Sequence, residues 1–326
     1  SINNYIKETN HPMTKVVIVG YDEMFAQLIK GCISAGYKPV GVFRYDKVKY
    51  KPWFLKIKDS ILPSKDKSFL DGYKLYEIKA TSVNSDAFRR ELIRLNVDIV
   101  FVGSWGEKFK KETFSIPKIG TINCHPSLLP KYRGPNSYAQ VILNGETKTG
   151  VTFHLMDENY DTGAILQQTE VEIKPDDTGG SLKTRCCMVA GQEVGKLLLQ
   201  MESEMILPVN QREDLATYQP QFTEEDVLLN FEHTAESLDR RIRAFLPWSK
   251  CYIAHKNRFF TFEKHEIIDE TCERQGKLVE KGDDYFCVVA GDKKIMKFSG
   301  IKLYGSTKLF TKLYASISLK IGDIME

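Results

Sequence analysis

The chain of 326 residues lacks any apolar run approaching the ~18 to 20 residues that a membrane-spanning helix requires. Its seven cysteines include no Cys-x-x-Cys pair, and the neighbours Cys186 and Cys187 frame neither a zinc site nor a disulfide scaffold. Such a scattered, odd set fits reduced thiols in a cytoplasm, each acting as a small buried apolar residue. The first strand turn has a single glycine, Gly20, and lacks Gly-x-Gly-x-x-Gly spacing. A dinucleotide site, and with it an NAD-dependent dehydrogenase, is therefore disfavoured. Charge of one sign is also missing: 46 Lys plus Arg against 43 Asp plus Glu leave a net +3. That is too little for bulk nucleic-acid binding. His11, His233, His255 and His265 show no metal-ligand spacing, so no metal is expected. Residues 1–13 are polar, without the apolar core of a signal peptide, and read as a disordered leader in which Met13 offers a second start.

What is present is ordinary globular material, 42% hydrophobic and 27% charged, of a length that suggests roughly two domains. Lys15-Val-Val-Ile-Val-Gly20 is a β-branched run of buried parallel-strand type. Met24, Phe25, Leu28 and Ile29 follow at helical spacing, and Pro39-Val-Gly-Val-Phe43 is the next strand. Together they make one right-handed βαβ unit. A helix over 88–95, strands over 97–102, 119–125 and 150–156, and a long helix over 181–201 continue the pattern. The fold class expected is α/β: a Rossmann-like, mostly parallel sheet over 14–205. A looser stretch with Pro208 and Pro220 reads as a linker over 206–221. Beyond it, Ala235, Leu238, Ile242 and Phe245 share one helix face. Short runs at 251–254, 259–262, 285–290 and 297–303, broken by glycines, then suggest a small OB-like β-barrel over 222–326.

The informative stretch is Asn123-Cys-His-Pro-Ser-Leu-Leu-Pro-Lys-Tyr-Arg-Gly134, followed by Asp157-Glu-Asn-Tyr-Asp-Thr-Gly163. Asn123 and His125 are two apart at a strand end, so their side chains leave the same face. Asp161 follows a strand and an irregular loop, which lets it reach back towards His125. The chemistry that such a set suits is acyl transfer. An amine attacking a formyl carbon generates negative charge on oxygen, which the Asn123 amide and a protonated His125 can stabilise. A carboxylate beside His125 holds the ring in orientation and can take the proton that the amine loses. A lone Asn-x-His is more often a satisfied polar pair, and Asp-Thr-Gly alone is a common turn. The combination is far more specific than its parts. His154, on the strand leading to Asp161, reads as core or cleft lining.

This pattern resembles the folate-dependent formyltransferase family, which is characterised by Asn-x-His-x-Ser-Leu-Leu-Pro, a following Arg-Gly and a later Asp-Thr-Gly. Asn123, His125, Ser127, Leu128, Leu129, Pro130, Arg133, Gly134 and Asp161-Thr162-Gly163 meet it. The resemblance implies that Asn123, His125 and Asp161 are the catalytic trio and that 10-formyltetrahydrofolate is the donor. It places the folate in a cleft lined by Ser104, Trp105 and Gly106 on one loop and by Met156, Asp157 and Tyr160 on another. Arg243-Ala-Phe-Leu-Pro-Trp248 and the closing Gly322-Asp323 resemble the C-terminal barrel of longer members.

The acceptor is less determined. Pro126 and Arg133-Gly-Pro-Asn-Ser-Tyr138 depart from the pattern of methionyl-tRNA formyltransferases, and the acceptor-loop motif of those enzymes is absent. Residues 222–326 carry 17 Lys plus Arg and 17 Asp plus Glu, so that part is neutral, whereas tRNA grips are basic. In the other direction, residues 44–67 hold eight basic and three acidic residues with Tyr50, Trp53 and Phe54 interleaved, suited to phosphates and bases. The expectation is a primary-amine acceptor, a nucleotide-linked amino sugar ahead of methionyl-tRNA, with a formyltetrahydrofolate hydrolase or a non-catalytic binding module as remoter readings. A homodimer is compatible with all of them.

Overall fold

The computed structural model describes residues 14–44, 65–203 and 206–325. The leader, Met13 and most of the basic stretch, with Tyr50, Trp53 and Phe54, lie outside the described residues. The chain forms two compact units that are interleaved in sequence. Of the described residues, one comprises those within 14–133, 150–171 and 184–218; the other comprises 134–149, 172–183 and 219–325. The second unit thus draws in two pieces that lie upstream of residues 206–221.

The first unit is organised on a sheet whose strands are β1 (Val16–Gly20), β2 (Gly41–Arg44), β3 (Ile99–Gly103), β4 (Gly120–His125), β5 (Lys148–Leu155) and β6 (Ile165–Glu172). The spatial order is β2-β1-β3-β4-β5-β6. Strands β1 to β4 pair in parallel, and β5 runs antiparallel to β4. Every residue of β1 and β3 is buried, which is why both read as continuous apolar runs without alternation. Strand β6 has an intermediate to exposed face and only one buried residue, Val171, and accordingly left no apolar signature. The helix α1 (Asp22–Ser34) buries Met24, Phe25, Leu28, Ile29 and Cys32. After α2 (Lys65–Gly72), α3 (Asp86–Arg94) starts on a Ser85 cap that accepts from the Phe88 N–H at 3.3 Å, and buries Phe88 and Leu92. A short α4 (Lys111–Phe114) precedes β4, whereas α5 (Ser137–Leu143), which follows it in the chain, belongs to the second unit. The long α6 (Gly179–Glu202) crosses α1 closely: a Cβ on Gly31 would stand 2.0 Å from the Gly191 carbonyl oxygen. Backbone approach at that crossing is open only to glycine.

In the second unit, α7 (Ala235–Phe245) buries the expected face of Ala235, Leu238, Ile242 and Phe245. Its cap, Thr234, accepts from the Ser237 N–H. The strands that follow are antiparallel: β7 (Ile253–His255), β8 (Arg258–Thr261), β9 (Lys264–Thr271), β10 (Leu278–Lys281), β11 (Tyr285–Val289), β12 (Lys294–Ser299) and β13 (Lys302–Leu303). They form two sheets, β10-β11-β12-β9 and β13-β8-β7. Phe231, Phe260, Phe286 and Phe298 fill one core with α7. Among the described residues, no helix is long and apolar enough to cross a membrane.

The closing helix α8 (Lys308–Ile317) and the chain after it meet β7 at a buried histidine. His255 Nδ1 is 3.2 Å from the Tyr314 hydroxyl, and Nε2 is 3.1 Å from Asp323 Oδ2. Burial outweighs the carboxylate and lowers the His255 pKa below the ordinary 6.5, while the Lys320 backbone N–H holds Asp323 below the usual carboxylate range. A histidine with a depressed folded pKa binds its proton more readily when unfolded, so its stabilisation is present above about pH 6.5 and lost below it. The melting temperature should therefore fall between about pH 7 and pH 5. His255→Asn should flatten that fall; an unchanged slope in thermal melts of the variant would show that another group is responsible.

Candidate active site

Strand β4 carries alternating roles: Ile122 and Cys124 are buried on one side, and Asn123 and His125 emerge on the other. The antiparallel pairing with β5 sets His154 directly opposite Asn123, and Thr152 opposite His125. Opposed residues of such a pair share a face, so both histidines look onto the same ground. The loop after β5 then doubles back. The Leu155 N–H donates to the Ala164 carbonyl at 2.9 Å, and a Cβ on Gly163 would stand only 1.7 Å from the Leu155 carbonyl oxygen. Asp161, within this closed loop, has φ 58°, a left-handed conformation that aspartate tolerates better than most residues.

These constraints converge on one carboxylate oxygen. Asp161 Oδ1 accepts from Asn123 Nδ2 at 3.2 Å and lies 3.6 Å from both His125 Nδ1 and His154 Nε2. The three residues expected to act together are brought together, and His154 joins them. Its place was legible only through the β4–β5 register, which puts position 154 across from 123.

Hydrogen-bond chemistry assigns the protons. His125 Nε2 faces the Tyr132 carbonyl at 2.8 Å; a carbonyl only accepts, so this nitrogen carries a hydrogen. A proton arriving at Nδ1 would produce an imidazolium facing Asp161. His154 Nδ1 faces the Leu155 carbonyl at 2.9 Å, so His154 Nε2 is the bare acceptor for Asn123 Nδ2 at 3.2 Å. Both Asn123 amide hydrogens are thus directed within the site, one to Asp161 and one to His154. A substrate oxygen that takes an Asn123 hydrogen bond must displace one of these partners. Cys124, between the two, is no nucleophile: complete burial pushes its thiol well above the ordinary value, with Cys187 and Cys186 adding to the rise.

A second layer comes from residues 209–218. Val209 and Ile165 exchange backbone hydrogen bonds at 2.8 Å in both directions. Gln211 Nε2 donates to the carbonyls of Asp161 and Gly163, and its Oε1 accepts from Arg133. The Arg133 guanidinium, 6% exposed, also bonds both carboxylate oxygens of Glu213 at 2.9 and 2.6 Å. That bond raises the arginine pKa and holds Glu213 below the usual carboxylate range. Thr217 Oγ1 accepts from the Tyr132 N–H at 2.8 Å, behind the carbonyl that holds His125.

The residues expected to line a folate cleft lie on the loops after β3 and β5. Ser104 has φ 60°; Trp105 packs on Phe43 at 5.5 Å between centroids, with the rings tilted by 50°. Trp105 and Met156 pack against the same apolar cluster, which contains Val19, Phe43 and Val102. Gly106 has open space where a Cβ would go, and Tyr160 is 52% exposed beneath the Lys108 ammonium at 5.5 Å. Lys111, the first residue of α4, pairs with Glu158 at 3.2 Å, a second tie to the loop after β5. Asp157 accepts from Thr162 Oγ1 and from the Asn159 N–H, bonds that staple the loop. Apolar floor, exposed ring and nearby cations suit a flat aromatic ligand with an acidic tail. Among the described residues, no group of three or more His, Cys, Asp or Glu is arranged to hold a metal ion.

A family model described as "Formyl transferase" matches residues 15–198, and one for "Formyl transferase, C-terminal domain" matches 221–315. The chain belongs to the formyl transferase family. Methionyl-tRNA formyltransferase of Caldanaerobacter subterraneus subsp. tengcongensis is 28% identical over 301 residues, 92% of this chain and 96% of that protein. The corresponding protein of Thermotoga neapolitana is 34% identical over 299 residues, 90% and 92% of the two chains. Among solved structures, the N-formyltransferase of Helicobacter canadensis, in complex with folinic acid and dTDP-3-aminofucose, superposes with a TM-score of 0.66 at 20% identity. It covers 88% of this chain and 99% of its own.

If the Asp161 loop of this formyltransferase is held as described, Gly163→Ala must force it outwards. Overpacking of this kind costs about 1–3 kcal/mol. Urea denaturation should show the loss; an unchanged midpoint would mean that Gly163 is not confined.

Proposed function

We propose that the chain moves a formyl group from 10-formyltetrahydrofolate to a primary amine, with Asn123, His125 and Asp161 as the catalytic trio. The observation that carries this reading is the Asp161 carboxylate within 3.2 Å of the Asn123 amide and 3.6 Å of the His125 ring, at the end of β4. As the amine nitrogen bonds to the formyl carbon, the formyl oxygen gains negative charge. Asn123 Nδ2 and a protonated His125 Nδ1 are the donors available to it, Asn123 by exchanging a partner. Asp161 takes the proton that the amine loses and passes it, through His125, towards the nitrogen of the departing folate. Ser104, Trp105, Gly106, Met156, Asp157 and Tyr160 would hold the folate, with Asp157 also keeping the loop in shape. The buried thiols of six of the seven cysteines suit a reducing cytoplasm as the setting.

For the acceptor, we favour a nucleotide-linked amino sugar. The departures at Pro126 and 133–138 and the neutral C-terminal part support it, and the likeness to a sugar N-formyltransferase agrees. The second reading, methionyl-tRNA, is supported by the names of the curated relatives. The deciding assay follows tetrahydrofolate release with a panel of nucleotide-linked amino sugars and with charged initiator methionyl-tRNA as separate acceptors. Turnover with the sugars alone is the expected result. Turnover with the tRNA alone would replace the first reading by the second, and formate release without any amine would replace both by hydrolysis.

The trio makes a sharper prediction. His125→Ala and Asp161→Asn should each lower kcat on the order of 100-fold or more, as loss of a transition-state donor or proton acceptor does elsewhere. Folding, followed by circular dichroism, should be intact. Full activity in either variant would remove that residue from the mechanism.

A further inference from the structure

Gln211 lies far from the catalytic motifs in sequence, within the stretch that composition marks as a linker, yet every polar atom of its side chain is engaged at the site. Nε2 donates to the Asp161 carbonyl at 2.9 Å and to the Gly163 carbonyl at 2.8 Å. Oε1 accepts from Arg133 Nε at 3.2 Å and Nη2 at 2.9 Å. The orientation of the amide is dictated by its neighbours, since two carbonyls can only accept and a guanidinium can only donate. Arg133 is in turn buried and fixed by Glu213. Gln211 is therefore pinned on one side by a rigid cation and clamps two carbonyls, two residues apart, on the other.

Those carbonyls belong to the segment that aims the Asp161 carboxylate. Asp161 sits at φ 58°, and its Oδ1 must be held against Asn123 and the two histidines at once. A small rotation of the 161–163 backbone would swing the carboxylate away from all three. Left-handed backbone in a residue other than glycine is strained and persists where surrounding contacts determine it. The Gln211 clamp is such a contact.

We propose that Gln211 is a positioning residue for formyl transfer, holding the Asp161 backbone so that its carboxylate meets Asn123 and His125. This rests on the assignment of Asp161 as the proton acceptor. The rival role is purely structural, with Gln211 anchoring its segment through Arg133 and leaving Asp161 indifferent. Two variants separate them. Gln211→Met keeps the length of the side chain and removes all four hydrogen bonds. Gln211→Glu keeps an acceptor for Arg133 and presents no donor to the carbonyls.

Steady-state kinetics with the same acceptor panel, alongside thermal melts and Asp161→Asn, make the test. Misplacement of a reacting group by about 1 Å can cost on the order of 100-fold. We expect both Gln211 variants to lose roughly 10- to 100-fold in kcat. The KM for 10-formyltetrahydrofolate should stay within about twofold. A parental kcat in Gln211→Met, or recovery of kcat in Gln211→Glu, would overturn the inference while an inactive Asp161→Asn leaves the trio standing. Full activity in Asp161→Asn would overturn both, since there would be no catalytic carboxylate to position.

Discussion

One carboxylate oxygen organises this site. Asp161 Oδ1 has the Asn123 amide at 3.2 Å and two imidazole nitrogens at 3.6 Å, while its side chain is only 12% exposed. A sparsely hydrated carboxylate needs donors in place of the water it has lost, and the Asn123 amide supplies one. The two imidazole nitrogens facing it are those left without a hydrogen by the Tyr132 and Leu155 carbonyls, and become donors only on protonation. A strand brings Asn123 and His125 to one face, an antiparallel neighbour adds His154, and a tight loop returns the carboxylate to them. Each of the three polar partners has its own orientation set by a further bond, to the Tyr132 or Leu155 carbonyl or between partners.

The change of direction at β5 is what makes this arrangement available. Strands β1 to β4 follow the parallel order of an open α/β sheet, in which chemistry gathers at the strand ends. Had β5 continued in parallel, the chain after it would have left at the same end as His125. Running antiparallel, β5 departs beside Ile122 and Thr121, with Met156 N–H bonded to the Thr121 carbonyl, and the following loop must double back. That return carries Asp161. Residues 209–218 then lie along the returning loop and hold it through backbone carbonyls.

The Asn-x-His and Asp-Thr-Gly motifs, the buried strands β1 and β3, and the apolar face of α7 were all legible because each is encoded by neighbours close in the chain. The apolar pattern reports burial directly, and β1 and β3 are buried throughout. Strand β6 and the exposed strand β9 (Lys264–Thr271) were not, since they are held by backbone pairing and bury little. The helix α8 escaped for a related reason: Leu309, Leu313 and Ile317 are exposed, so its apolar residues do not mark a single buried face. His154 fell between these cases. Its strand was evident, but its partner across the sheet depended on register.

By itself, the sequence carried the family resemblance in its motif, and its residues determined that a strand would end in Asn123 and His125 and that Asp161 would follow a later strand and a loop. Local chemistry suffices for that, because side-chain alternation and turn preferences act over a few residues. Tertiary structure alone decided which atoms meet: His154 with Asn123, Gln211 with the Asp161 and Gly163 carbonyls, Arg133 with Glu213, and Thr217 behind Tyr132. These contacts join residues from 31 to 85 positions apart. Their hydrogen bonds depend on the closure of whole elements, which no short window of sequence contains.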